Sequence, residues 1–197
     1  MMDLAAIQSK VDLIQPIAAA NHQLAPQAVA AIASTALVVA ELQSGQHSAF
    51  ISANLVLLPS SAAQPPNQTT QDYLHRLVLS AESAAASISC SSILAGAGSE
   101  SDDTGDIALW LGPGDFGEPQ AVLQALGLAE WASAGEIASF GLSLPANSTF
   151  AQQLASLQEK YCFRVREANT GSLVLFFLVG RMDEGWAGLL GVGTWSD

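Results

Sequence analysis

Seven consecutive residues, Leu173 to Val179, are apolar without interruption: Leu-Val-Leu-Phe-Phe-Leu-Val. A strand carries such a run when both its faces are covered, so 173–179 belongs at the centre of a layered sheet. Before it come Cys162–Ala168 and a turn at Asn169-Thr170-Gly171. After it come a turn at Asp183-Glu184-Gly185 and the run from Trp186 to Trp195. Runs rich in β-branched and aromatic residues, split by short Gly-containing turns, predict a three-stranded antiparallel meander at the C-terminal end.

Upstream, helical and extended patterns alternate. Leu4, Ile7, Val11 and Ile14 recur at helical spacing over 3–15. A second helix is expected from about Ala25, with Pro26 in the first turn, to a C-cap at Gly45. Phe50–Leu58 reads as one strand, and Ser60–Thr69 as a Pro-rich loop. Thr69 or Thr70 is placed to cap a helix running to about Ile88. Ile93-Leu94 and Ile107–Leu111 read as short strands, Pro119–Ala132 as a helix, and Ile137–Leu142 as a strand. Asn147 or Ser148 caps a helix over Thr149–Tyr161. The expected fold is α+β, with helices packed on a mainly antiparallel sheet. At 197 residues one well-filled core is expected over 1–197, with a helical N-terminal subregion, 1–58, joined by the Pro-rich loop 59–69.

Charge bounds the function classes. Only 12% of residues are charged, about half the usual share, and the net charge is −12. Direct nucleic-acid binding needs a basic face, so a basic protein partner is the expectation instead. Between Arg76 and Lys160 there is no Lys or Arg, while ten of the 18 acidic residues fall there. The densest group is Glu100, Asp102, Asp103 and Asp106, in a Gly- and Ser-rich stretch read as a protruding loop. Facing one way, these carboxylates form a negative patch that steers a basic partner. Trp195 and Asp197, close to the last residue, are the further candidates for partner contact, a rigid aromatic being a good binding anchor.

No catalytic or cofactor signature accompanies them. Gly96-Ala-Gly-Ser and Gly112-Pro-Gly-Asp lack the lysine and hydroxyl of a phosphate loop. His22, His47 and His75 have no second ligand at metal spacing, and no Gly-x-Ser-x-Gly elbow occurs. Cys90 and Cys162 are expected as reduced, buried thiols. Asp3, Lys10 and Asp12 interrupt any apolar leader, and the apolar run 28–40 falls short of a membrane span. The expectation is a non-enzymatic cytoplasmic protein with no metal, cofactor or membrane contact, either a binding module or a chaperone, assembly factor or subunit of a larger complex.

The C-terminal quarter adds a resemblance. Phe150-Ala-Gln-Gln-Leu154 leads a helix; then come Phe163-Arg-Val-Arg-Glu167, Leu175-Phe-Phe-Leu-Val-Gly180 and Gly185-Trp-Ala-Gly-Leu189, with Thr194 near the end. This order resembles the closing pattern of the nuclease A inhibitor family, small acidic cyanobacterial proteins that block a sugar-nonspecific nuclease. The family ends in an acidic residue and threonine, whereas this chain ends Trp-Ser-Asp. The resemblance implies an α/β/α sandwich and a basic protein partner such as that nuclease.

Overall fold

A computed structural model describes residues 24–43, 49–51, 56–59, 64–96, 99, 103–144, 148–168 and 171–195. The helix expected over 3–15 lies outside these residues. The described elements are α1 (Pro26–Leu42), β1 (Ala49–Ile51), β2 (Val56–Leu58), α2 (Gln68–Ser87), β3 (Ile107–Gly112), α3 (Pro119–Ala125), α4 (Ala129–Ala132), β4 (Glu136–Ser139), α5 (Thr149–Leu154), β5 (Gln158–Arg166), β6 (Leu173–Met182) and β7 (Gly185–Thr194). The strands form one mixed sheet in the order β1-β2-β3-β7-β6-β5-β4.

The apolar run sits in β6, between β5 and β7 and antiparallel to both. Residues 174–180 are buried on both faces, as the uninterrupted pattern requires. The meander is therefore β5-β6-β7. The other half of the sheet, β1-β2-β3, attaches only through β3, which runs antiparallel to β7 and parallel to β2. The parallel pair is bridged by α2, because parallel neighbours need a crossover.

Register assigns the two faces. Ile107, Leu190, Phe177 and Phe163 share one row, and Ala108, Leu189, Leu178 and Cys162 the next, on the opposite face. On the first face Phe163 stacks on Phe177 at 4.5 Å and Tyr161 stacks on Phe163. Helix α1 covers this side: the Gly105 amide donates to Ala31 O at 3.0 Å, and Thr35 Oγ1 donates to Gly105 O. Gln43 Nε2 donates to Leu126 O at 2.7 Å, which ties α1 to the α3–α4 segment on the same side. On the second face lie α2 and α5, joined by Tyr73 Oη donating to Gln153 O at 2.9 Å. The result is an α/β/α sandwich. One continuous hydrophobic core runs from Leu24 to Val192 and takes in α1 and β2 as well as the C-terminal strands.

Several boundaries differ from the sequence reading. Phe50–Leu58 is not one strand. Ala49 pairs with Leu58 and Ile51 with Val56, so two short strands fold back on each other. Asn67, not Thr69 or Thr70, caps α2, accepting from the Thr70 amide at 2.9 Å. Helix α1 ends at Leu42 with Gln43 as its cap, and Gly45 lies outside the described residues. Ile93-Leu94 forms a turn rather than a strand, because a carboxylate captures its amides (below). The 119–132 helix breaks at Gly127, whose φ of +68° is a left-handed conformation that suits glycine. Ser148 does cap its helix, accepting from Ala151, but α5 stops at Leu154. Residues 158–161 instead join β5, where the register against β6 shifts and Glu159 takes a φ of +47°.

Candidate functional site

The stretch from Ser92 to Asp106, which contains the acidic loop, is fastened to the C-terminal end of β7. Thr104 Oγ1 donates to Val192 O at 2.8 Å, and the Thr194 amide donates to Ser99 Oγ at 3.2 Å. Ser99 and Thr104 are thus both anchored at the C-terminal end of β7. Trp195 follows directly; its amide donates to Ser172 O, and its ring packs on Phe176 at 5.7 Å and lies over Gly193. Trp195 is half-buried, so it is partly spent on the sheet. Asp103 is exposed. Glu100, Asp102 and Asp197 lie outside the described residues.

Asp106 corrects the sequence reading, which placed it among the partner-facing acids. It is 5% exposed and points inward. Ser92 Oγ donates to its Oδ1 at 2.6 Å and the Ile93 amide to its Oδ2 at 2.7 Å. Ser92 Oγ also accepts from the Ala95 amide, which closes the 92–95 turn over the carboxylate. The space exists because position 191 is glycine: a Cβ there would lie 2.5 Å from Asp106 Oδ1. Burial pushes the carboxyl up to about 6, against the opposing effect of Ser92 and the amides of Ile93 and Leu94. Asp106 is a fastener for the turn that precedes the loop, not part of a charged surface.

Beside this fastener lies a cleft of about 740 Å3 between the first half of α1, the end of α2 and Asp103. Glu82 and Asp103 supply its carboxylates and Ser34, Ser89 and Ser91 its hydroxyls, and no Lys, Arg or His is among the described residues lining it. Cys90 also lines it; Cys90 and Cys162 form no disulfide with each other and are half-buried rather than fully buried. Burial pushes the Cys162 thiol up to about 11. Glu82 joins the site only through the fold, since the sequence separates it from Asp103 by an entire turn region.

The remaining acids of the Lys- and Arg-free interval do not converge here. Asp115 and Glu118 sit in the loop after β3, across the length of that strand, roughly 20 Å for six residues. That loop is pinned by Tyr161 Oη donating to Phe116 O at 2.6 Å and Trp186 Nε1 donating to Gly114 O at 3.0 Å. Burial, then the charges of Glu118 and Asp115, raise the Tyr161 hydroxyl above its ordinary value. At the same end Glu184 accepts from Asn67 Nδ2 and from Thr70 Oγ1 at the start of α2. Glu136 stands beside Arg166 in register, and Glu159 pairs with Arg181 at 2.9 Å. The interval is acidic in sequence but divides in space between the two ends of the sheet.

Among the described residues no group of three or more His, Cys, Asp or Glu is placed to hold a metal ion. No helix among them is long and apolar enough to cross a membrane. Compared with known proteins, the chain matches no family model, no curated protein and no solved structure.

Proposed function

We propose that the chain is a non-catalytic, cytoplasmic protein-binding module that engages a basic partner through the end of the sandwich carrying the 99–106 loop. One observation carries this reading. Both ends of an acid-rich loop are hydrogen-bonded to β7, beside a cleft whose described charges are all negative. Asp103, next to the anchored Thr104, is presented at little ordering cost, so more of its attraction survives as affinity. A sugar-nonspecific nuclease is the partner class to try first. Its cleft attracts phosphates, and fixed carboxylates compete for the same cations, in keeping with the likeness of residues 150–197 to nuclease A inhibitors.

The test replaces Glu82 and Glu100 by Gln and Asp102 and Asp103 by Asn, leaving the structural Asp106 intact. Association with such a nuclease is followed between about 50 and about 300 mM salt, a range over which screening of exposed charges grows. The wild-type association rate should fall with salt. The variant should associate at least tenfold more slowly at low salt, with a flatter salt response and an unchanged melting temperature. Identical rates and salt response in the two proteins would remove the acidic end from recognition. The role of chaperone, assembly factor or subunit of a larger complex would then take precedence.

A further inference from the structure

One margin of the sheet is only partly protected against pairing among the described residues. Among the described residues strand β4 is at the end of the strand order and bonds only to β5. Phe140 extends that pairing, its amide donating to Cys162 O at 3.3 Å. By the alternation of an antiparallel ladder, Ile137, Ser139 and Gly141 then direct their amides and carbonyls outward. Natural edges are blunted by shortness, charged side chains, proline or bulges; β4 is four residues long and begins with the exposed Glu136, but the margin runs on beyond it. Residues 137–144, Ile-Ala-Ser-Phe-Gly-Leu-Ser-Leu, contain neither a charge nor a proline. Ser139, Gly141 and Ser143 are exposed, while Phe140, Leu142 and Leu144 pack partly against the core and hold the segment in place.

We propose that this margin pairs with the same margin of a second copy of the chain, antiparallel about a dyad at Ser139. Three features favour a second copy over another partner. Residues 137–144 carry no charge on a chain of net charge −12, so Glu136 alone would draw a basic partner to this margin. With the dyad at Ser139, Glu136 falls opposite Leu142 of the second copy, so no like charges meet directly. Phe140 falls opposite Ala138, a large residue against a small one. Arg164 is Ala138's neighbour on β5, is exposed, and makes no ion pair among the described residues. Its guanidinium can pass over the Ala138 methyl to the Phe140 ring of the second copy, within the roughly 6 Å of a cation–π contact. Pairing 137, 139 and 141 with 141, 139 and 137 forms about six backbone hydrogen bonds.

Sedimentation tests this over a protein range of about 1 to about 300 µM, suited to an interface at the small end of the size scale. The mass of the wild type should rise from one chain toward two. Added salt should leave the dimer intact or tighten it, since it screens two equally acidic bodies. Ser139→Lys puts two ammonium groups at the dyad. Ser139→Pro removes an outward amide without touching the bonds to β5. Both should stay monomeric with unchanged circular dichroism and melting temperature, and Arg164→Ala should raise the dissociation constant several-fold. A wild type that stays monomeric throughout, or a dimer that persists in both Ser139 variants, overturns the proposal. Neither outcome bears on the acidic end, because the salt responses of the two associations are opposite.

Discussion

Asp103 and Asp106 are three residues apart in one acid-rich stretch, yet one is exposed and the other sealed under the 92–95 turn. Asp106 shows its difference in stability against pH. Its carboxyl is raised from an ordinary 3.8 to about 6, so between those values the folded protein holds a proton that the unfolded chain releases. Its contribution to stability is complete below about 4 and is lost as pH rises through about 6, an effect on the order of 3 kcal/mol. Asp106→Asn removes that titration and keeps an acceptor for the Ile93 amide. In urea melts between pH 4 and pH 7, wild-type stability should decline relative to Asp106→Asn as pH rises, and then run parallel to it above pH 7. Parallel curves throughout would place the proton elsewhere. Nothing within the acidic stretch distinguishes the two residues. The clue is remote, in the missing side chain of Gly191 and the hydroxyl of Ser92, and remote partners are what local pattern reading lacks.

Elements were legible in proportion to how far their pattern depends on local chemistry. β6 was readable because seven apolar residues admit few alternatives, and α1 because Pro26 fits only a first turn. Where partners decide, the reading slipped. The helical pattern 149–161 is overruled after Leu154 because β6 has room for a longer neighbour, and the 50–58 run folds on itself to give β2 a partner on each side. Two substitutions test the centre of the sheet. Phe177, fully buried and stacked on Phe163, should cost about 3–5 kcal/mol on truncation to Ala, read as a lowered urea midpoint with little change in slope. Gly188 faces the Leu178 carbonyl so closely that a Cβ would overlap it, so Gly188→Ala should destabilise by several kcal/mol. Gly112→Ala is a poor control, because φ there is +79°, whereas Gly141 has ordinary φ and open space, so Gly141→Ala should leave the monomer's melting unchanged. A Gly188→Ala protein as stable as Gly141→Ala would mean that β6 and β7 are not in this register.

For the molecule as a whole, acidic side chains are divided between the two ends of the sheet, while a shared core ties α1 to the meander. The Pro-rich segment 59–69 is therefore a connection within one body, since β1 and β2 before it and β3 after it belong to the same sheet. The strand order carries a further consequence, for biosynthesis. β3, buried at all six positions, has its inner neighbour in β7, which emerges from the ribosome after every other strand. Until then the nascent chain holds an Ile-Ala-Leu-Trp-Leu strand with one side unpaired, and the fold closes only when translation has passed Thr194. Nascent chains arrested with Arg166 outside the ribosome should be cut readily by protease across 107–112, and protection should appear only once β7 has emerged. The sheet thus closes only once β7 has cleared the ribosome, and a ribosome-associated chaperone that masks β3 should raise the yield.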